Sequence, residues 1–367
     1  MPTAPSTPED RDAIDSALGE RYYKDRKDLE EKYTDEIIDV IRRAIEKGFQ
    51  VRGVARRDAH AFDNGCVRAI FRVDPDLDPR LQHGVFIPGR EYRAWIRFSN
   101  GNSEARSRWW PDARGMAIKL TGVEGPKLLN DEKNTQDFIL ISHPVFFVDD
   151  LERYKATLEA FLKGGIVDQY ARAPFKLRGR EIWLSFVANL LWISNPLFHQ
   201  YWSMTPYQLG LDPPRKLAVK YTAKPRAVPK RTLFGRVAPY FRWRFSLKGE
   251  MNRTLAGGER RFDFYIQRYV DPRTPIEDSK IEWTEVISKP EHVASIIIPP
   301  QDLMSAEQGT FCENLSFSPW HSLPEHKPLG LVNRVRKRAY LAISEHRHNL
   351  NHAPKLEPTG DERFGPP

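Results

Sequence analysis

The sequence predicts an α+β protein in which one antiparallel β-barrel is interrupted and flanked by helices. Two groups of short apolar segments, in residues 54–142 and 216–300, are rich in β-branched and aromatic residues and are separated by Gly, Pro and Asp. A stretch of helical composition, about residues 150–210, lies between them. No flexible linker divides the two groups, and a single closed or partly closed barrel removes the free edges that two separate sheets would have.

The individual segments have the lengths and compositions of antiparallel strands. The first group contains CVRAIFRV, EYRAWIRFS, RGMAIKLTG and TQDFILIS, and the second contains KLAVKYTA, RRFDFYIQRYV and HVASIIIPP. A basic loop that contains proline, residues 224–240, is expected between the first two segments of the second group.

Helical periodicity marks both ends of the chain. Residues 16–48 carry apolar side chains at helical spacing, and Gly48 is expected to end that helix. Residues 331–349 have helix composition and follow the stop signals Pro328 and Gly330. The sequence therefore predicts one helix before the barrel and one after it.

Polar composition predicts flexible tails at residues 1–15 and 354–367. The residues between them, 16–353, are predicted to form a single domain that includes the helical insertion.

Composition and charge exclude several classes of protein. Hydrophobic residues make up 40% and charged residues 29% of the 367 residues, as in soluble globular proteins. The formal net charge is +8, but basic and acidic residues alternate, and no basic stripe or reading motif indicates nucleic-acid binding. The N-terminal residues lack the apolar run of a signal peptide, which favours the cytoplasm. The apolar run at residues 182–193 is too short to span a bilayer, which needs ~20 residues, but it leaves peripheral membrane contact open.

The two cysteines predict no disulfide framework. Cys66 and Cys312 lie far apart and form no CxxC pair, which indicates reducing surroundings or indifference to them. Both are expected to be small core residues.

The segment RKRAY places Arg336 and Tyr340 four residues apart, on one face of the last helix. A free tyrosine has a pKa of about 10 and is a poor metal ligand at neutral pH. A guanidinium against its oxygen favours the phenolate, which is the form that a ferric iron needs.

A histidine at the edge of the first strand is the second candidate for chemistry. His60 stands three residues after Arg57 in RRDAHAFDNG, and histidine is the usual group for moving a proton between peroxide oxygens. The segment WIRFSN, residues 95–100, adds one arginine and one hydroxyl to a strand.

Taken in order, these segments resemble the haem catalase superfamily. The resemblance covers roughly residues 50–350 and rests on RxxH at 57–60, RFS at 97–99, DARGMAIKL at 112–120, PVFFVDD at 144–150 and RxxxY at 336–340. It implies an eight-stranded antiparallel barrel with helices around it, and haem b as the cofactor.

The resemblance also implies a role for each matched residue. His60 is similar to the distal histidine and Ser99 to the hydroxyl that holds its second ring nitrogen. Tyr340 resembles the proximal ligand of the iron, and Arg336 its charge partner. The remaining matches are three arginines that would neutralise the haem propionates and an aromatic that would pack over the distal haem face: Arg57, Arg97, Arg347 and Phe146.

The sequence departs from the catalase pattern at places that bear on activity. Ile141, followed by Ser142, stands where catalases carry the asparagine that orients peroxide. Tyr154 replaces a second aromatic of the distal channel, and Ala59 precedes the histidine. The long wrapping and C-terminal segments of ordinary catalases are missing. These features resemble the short catalase-related proteins, among them allene oxide synthase and small peroxidases.

The leading hypothesis is therefore a haem peroxidase or an enzyme that processes organic, fatty-acid hydroperoxides, with weak or no catalase activity. The apolar run at residues 182–193 and the segment YWSMTPY at 201–207 are candidates for lining the approach of an apolar substrate. One alternative is a haem carrier or sensor without turnover, and another is a barrel without haem. A monomer or homodimer is expected, because the threading arms of catalases are absent.

Overall fold

A computed structural model of the chain describes residues 14–57, 60–101, 112–172, 179–181, 183–184, 191, 193–211, 216–228 and 246–364. The strands in these residues are β1 Phe62–Val73, β2 Glu91–Asn100, β3 Arg114–Thr121, β4 Thr135–Ile141, β5 Tyr201–Trp202, β6 Tyr207–Leu209, β7 Leu217–Pro225, β8 Arg260–Arg268 and β9 Glu291–Ile298. Every pairing between them is antiparallel.

These strands close into a barrel with eight positions. The order around the sheet is β5, β4, β3, β2, β1, β9, β8, β7, and β5 pairs with both β4 and β7. Trp202 closes the ring, because it lies opposite Ile141 on one side and Thr222 on the other. The short β6 runs along the edge of β7 beside β5. The prediction of an α+β protein with an eight-stranded antiparallel barrel is confirmed.

The barrel interior is a packed aromatic core. Alternate side chains of each strand point inward, as the two-residue period of a strand requires. The ring of Phe138 lies 4.9 Å from that of Tyr221 and 5.0 Å from that of Phe264, and Phe71 lies 5.2 Å from Phe264, between ring centroids. His326 closes this core, and its Nε2 accepts a hydrogen bond of 3.0 Å from the backbone of Val85.

The outward face of β2, β3 and β4 determines which side chains meet outside the barrel. Register places Ser99, Gly115 and Ile141 in one row across the three strands. The next row contains Arg97, Ala117 and Ile139, and the one after it Trp95, Lys119 and Asp137. Side chains in a row share a face of the sheet, so residues far apart in sequence become neighbours.

The helices cover this barrel. The longer helices in the described residues are α1 Lys27–Arg52, α2 Leu151–Arg172, α3 Leu247–Ala256, α4 Ala306–Asn314 and α5 Leu331–Asn351. Apolar residues of α1, α2 and α5 pack together, among them Ile37, Ile41, Leu151, Leu331 and Val335. Among the described residues, none of the helices has the length and apolar character needed to cross a membrane.

The first helix differs from the prediction of one helix over residues 16–48. Two short 3-10 turns, Ser16–Leu18 and Tyr23–Asp25, precede α1, and Gly19 between them has a φ of +84°. The helix then runs through Gly48 and ends at Gly53, whose φ is +69°. A glycine stops a helix when it takes a left-handed φ, and Gly53 does so here.

The predicted helical insertion at about residues 150–210 is only partly helical. It begins with α2, but Tyr201–Trp202 and Tyr207–Leu209 are strands. Tyr201 and Tyr207 are buried in the barrel core and supply rings there, whereas Trp202 is half-buried and lies opposite Ile141, so the lining role stays a prediction for Trp202. Most of the apolar run at 182–193 and part of the basic loop at 224–240 lie outside the described residues, as do residues 1–13 of the predicted N-terminal tail.

The predicted flexible C-terminal tail is also corrected, for residues 354–364. Trp95 donates a hydrogen bond of 2.9 Å from its Nε1 to Glu362, and the ring of Phe364 lies 5.9 Å from the Trp95 ring and 5.1 Å from that of Phe311. Leu356 pairs in parallel with Leu315. The sequence analysis missed these contacts because the composition of the segment is polar.

The two cysteines are joined, contrary to the expectation from their spacing. Cys66 on β1 and Cys312 on α4 form a disulfide with a Cα–Cα distance of 6.2 Å. Both are buried, as predicted, and pack with Trp95 and Leu315. Sequence spacing concealed the pair because the fold brings α4 onto the outside of β1. The inference of reducing surroundings from these cysteines therefore fails.

Candidate functional site

His60 lies just before β1 and is held by a hydroxyl of β2. Its backbone has a φ of +58°, in the left-handed region where His, Asn and Asp are enriched among non-glycine residues. Its Nδ1 lies 3.1 Å from the Oγ of Ser99, a buried residue. A hydrogen bond at Nδ1 fixes the ring and leaves Nε2 free to exchange a proton. The fold thus brings together the histidine and serine that were predicted as a pair.

Gly115 makes this pairing possible, and the sequence analysis did not single it out. It lies opposite Ser99 on β3. A Cβ atom at this position would stand 2.5 Å from the Ser99 Oγ and 2.7 Å from the His60 Nδ1, which is closer than real Cβ contacts. The missing side chain therefore gives His60 its room. The only sequence signal was its place in DARGMAIKL.

The surroundings keep His60 neutral. Burial lowers its pKa to about 4, and the cations of Arg97, Arg336 and Arg114 act in the same direction. Arg336 belongs to α5, so its effect on the pKa of His60 also indicates that α5 lies close to the histidine. At pH 7 the imidazole is uncharged and can accept a proton.

Arg336 and Tyr340 meet on α5 as the four-residue spacing predicted. Nη2 of Arg336 donates a hydrogen bond of 2.9 Å to the Tyr340 oxygen, and its guanidinium carbon lies 5.0 Å from the centroid of that ring. Burial lowers the pKa of Arg336, but the oxygens of Tyr340 and Tyr207 raise it more, so the arginine stays charged. A charged donor at a phenolic oxygen favours its anionic form.

Asn333 is a second residue that the sequence analysis missed. It is fully buried, and its Oδ1 accepts hydrogen bonds from Nη1 of Arg336, at 3.2 Å, and from the hydroxyl of Thr205, at 3.1 Å. Its backbone oxygen accepts a bond of 2.7 Å from the indole of Trp320. Asn333 therefore fixes the direction of the arginine that contacts Tyr340.

A buried ion network supports that arrangement. The ammonium of Lys119 lies 2.8 Å from Oδ1 of Asp137 and also pairs with Glu132, while Nδ1 of His321 lies 2.9 Å from Oδ2 of Asp137. Glu132, Asp137 and His321 have the spacing of metal ligands, but the ammonium of Lys119 already supplies a cation to the two carboxylates. Because Trp320 precedes His321, the network anchors the segment that supports Asn333.

The outer face of β3 and β4 beside His60 is small and apolar. Ala117, Ile139 and Ile141 are partly exposed there, on strands that are otherwise almost entirely buried. Together with His60 and Tyr340, these residues define the candidate site. A face of this kind suits a flat apolar ligand.

The three predicted arginines form a cluster around one carboxylate, Glu313. Arg57 Nη1 lies 2.9 Å from Oε2 of Glu313, and Arg347 Nη1 lies 3.6 Å from Oε1. Arg97 adds a third charge, since it lowers the pKa of Glu313 together with Arg57 and Arg347, against the opposing effect of burial. The buried Nε of Arg97 has no hydrogen-bond partner among the described residues.

The cluster carries an excess of positive charge. Burial lowers the pKa of Arg97 to about 10 and that of Arg347 to about 9, and the neighbouring Arg57 adds to both shifts. The guanidiniums of Arg97 and Arg347 therefore remain charged at pH 7. Three cations against one carboxylate leave a net charge of +2, which favours an anionic ligand.

Phe146 lies in an aromatic group after β4. Its ring centroid is 4.9 Å from that of Phe147 and 5.7 Å from that of Tyr154. The Tyr154 oxygen also contributes to the raised pKa of Arg336, so this group borders the candidate site. The role of Phe146 over a haem face stays a prediction.

Sequence comparison yields no relatives. No protein-family model matches the chain, and no curated protein sequence matches it.

Solved structures do match. A fungal catalase superposes with a TM-score of 0.62 at 15% identity, over 82% of this chain and 60% of the catalase. Catalase A from Saccharomyces cerevisiae gives 0.58 at 15% identity, over 87% of this chain and 67% of that one. A bacterial catalase gives 0.60 at 14% identity, over 85% and 62%.

The chain thus spans about three fifths to two thirds of the length of these catalases. At such low identity the likeness concerns the fold, and it confirms that part of the prediction: the chain has the barrel fold of the catalases.

Proposed function

We propose that this chain binds haem b through Tyr340 and acts on peroxides as a haem-dependent enzyme. The activity is that of a peroxidase or of an enzyme that processes organic hydroperoxides, with weak or no catalase activity. The observations that carry the proposal are a His60 held by Ser99 and a Tyr340 held by Arg336, with the charge of that same Arg336 acting on His60.

The residues present fit a haem in three respects. Tyr340 offers an oxygen ligand beside a permanent cation. The arginine cluster has two positive charges in excess, which equals in size the charge of two propionates, and the Nε of Arg97 finds no acceptor in the part of the chain that the structure describes. Ala117, Ile139 and Ile141 offer an apolar face to a porphyrin ring.

His60 is the proposed proton carrier. Its Nε2 takes the proton of the hydroperoxide O–H group and returns it to the oxygen that leaves, while Ser99 holds the ring through Nδ1. Haem, when bound, supplies the iron redox chemistry that breaks the O–O bond. Arg336 holds the Tyr340 oxygen in place through its hydrogen bond, and Asn333 holds Arg336 in place.

The distal residues favour an apolar substrate over hydrogen peroxide. Ile141 ends the row that begins at Ser99 and offers no hydrogen-bond donor. Ser142 is no substitute for that donor, because its side chain is buried, with its Oγ against the backbone N–H of Arg114 at 2.8 Å. Without a second donor beside His60, small peroxides are poorly oriented, whereas an alkyl chain gains apolar contact.

The first test concerns the ligand. Haemin titration of the wild type is expected to give a Soret band, and Tyr340→Phe should weaken haemin binding at least roughly tenfold or shift that band, because the oxygen ligand is lost. The exposed Tyr269→Phe is the matched control and should bind as the wild type does. A Tyr340→Phe variant with an unchanged spectrum and affinity would refute the ligand assignment.

The second test concerns turnover. His60→Ala should retain haem but lose roughly 10²- to 10⁴-fold in turnover of cumene hydroperoxide, the range for removal of a general acid–base group. Unchanged turnover would refute the role of His60. If the wild type binds haem but hydroperoxide only bleaches it slowly, the chain is a haem carrier or sensor.

A further inference from the structure

Glu313 stands at the centre of the arginine cluster, and the resemblance assigns it no role. It is the residue after Cys312 near the end of α4, and its side chain pairs with Arg57 and Arg347. Its Oε1 is buried and has no hydrogen bond to the described residues. A carboxylate in this position is a negative charge beside the proposed propionate site.

The backbone around Glu313 holds the same arginines. Nη2 of Arg57 donates to the carbonyl oxygens of Cys312, at 3.3 Å, and Leu315, at 2.5 Å. Nη1 of Arg347 donates to the carbonyl oxygen of Glu313 at 2.7 Å. The disulfide at Cys312 ties this end of α4 to β1, so the carbonyl contacts persist when only the Glu313 side chain is changed.

Charge balance determines what Glu313 does. Without this carboxylate, the three guanidiniums would lose the one anion on which all of them act, and buried like charges are costly. With two propionates bound, the same guanidiniums would have two anions even if the Glu313 charge were missing. The carboxylate therefore stabilises the haem-free protein more than the haem-bound one, and it repels the propionates.

We propose that Glu313 is a built-in counter-ion of the arginine cluster. Its carboxylate stabilises the protein before haem binds and weakens the binding of the propionates by the arginines. The inference rests on the proposed haem site. It makes an unusual prediction: neutralising a residue of the cofactor site strengthens cofactor binding.

Glu313→Gln tests this in the full-length protein. The thermal midpoint of the haem-free variant should fall by roughly 4–7 °C, and that of the haemin-saturated variant by less than half as much. Haemin should bind several-fold more tightly to Glu313→Gln than to the wild type, because a repulsive charge is lost. The same coupling should widen the stability gap, which is the difference in thermal midpoint between the haemin-saturated and the haem-free protein. Glu313→Asp keeps the charge, so its difference in thermal midpoint with and without haemin should equal that of the wild type. Glu307→Gln, on the exposed side of α4, should change neither quantity.

Haem dimethyl ester separates a charge effect from a packing effect. It lacks the propionate charges, so its affinity should not rise in Glu313→Gln. Equal losses of thermal midpoint with and without haemin, or equal gains for haemin and the ester, would overturn the counter-ion role and leave the haem site standing. If haemin does not bind the wild type at all, both proposals fall together.

Discussion

At the scale of single residues, the candidate site depends on what is small as much as on what is charged. His60 can approach Ser99 only because Gly115 has no side chain between them. Arg336 is directed at Tyr340 because the Oδ1 of Asn333 accepts a hydrogen bond from its other terminal nitrogen, Nη1. Neither Gly115 nor Asn333 has a side chain that suggests catalysis, yet each fixes the position of one that does.

Gly115→Ala is predicted to disturb the distal pair without removing any functional group. Its new Cβ would force His60 and Ser99 apart, so turnover of cumene hydroperoxide should fall by roughly 10- to 100-fold while haem content stays unchanged. Steady-state kinetics and the Soret absorbance measure the two quantities. Gly249→Ala, where a Cβ meets only the Ser246 hydroxyl at 3.5 Å, is the control. Full activity in Gly115→Ala would show that the His60 to Ser99 contact is unimportant.

At the scale of elements, α4 connects the barrel to the arginine cluster. Its Cys312 bonds to β1, its last residues accept hydrogen bonds from Arg57 and Arg347, and the C-terminal residues around Phe364 pack on its Phe311. A helix of nine residues has little stability of its own. Its position therefore comes from these anchors, and the disulfide is the covalent one.

The disulfide is predicted to be a large stabilising element. It closes a loop with a sequence separation of 246 residues, for which the chain-entropy model gives about 5 kcal/mol. Replacing both cysteines, Cys66→Ser with Cys312→Ser, should lower the free energy of unfolding in urea by an amount of that order. Reductant should destabilise the wild type and leave the double variant unchanged. Two titratable thiols in the unfolded, unreduced wild type would contradict the pairing.

At the scale of the whole molecule, the closed barrel creates both the core and the face of the site. The inward side chains form an aromatic interior with a neutral histidine, and the outward side chains of β2, β3 and β4 carry the candidate site. Burial of His326 lowers its pKa to about 3, with His83 and Lys127 acting in the same direction. This buried histidine links the stability of the barrel to pH.

The sign of that dependence follows from proton binding. The unfolded chain protonates His326 below about pH 6.5, whereas the folded chain does so only near pH 3, so acidification favours unfolding between these values. The contribution is at most about 1.4 kcal/mol per pH unit for one proton. His326→Gln should reduce the slope of unfolding free energy, measured in urea from pH 7 to pH 5. The exposed His352→Gln should leave it unchanged, and equal slopes in both variants would contradict the assignment.

Local patterns in the sequence were enough for the elements that are long and regular. Length, β-branched and aromatic content and turn residues marked β1 to β4 and β7 to β9, and the four-residue spacing on α5 placed Arg336 beside Tyr340. The predicted pairing of His60 with Ser99 came from resemblance, and the geometry agrees with it. Strands β5 and β6 escaped notice, because two or three residues are too few to show a period.

The sequence by itself determined the strand-forming segments of the barrel, its flanking helices and the local pair on α5, since these depend on composition and spacing along one segment. Tertiary structure alone decided the bond between Cys66 and Cys312, the room that Gly115 leaves for His60, and the grouping of three arginines around Glu313. Each of these joins residues from different elements. Their proximity depends on strand register and helix packing, which no single segment of sequence encodes.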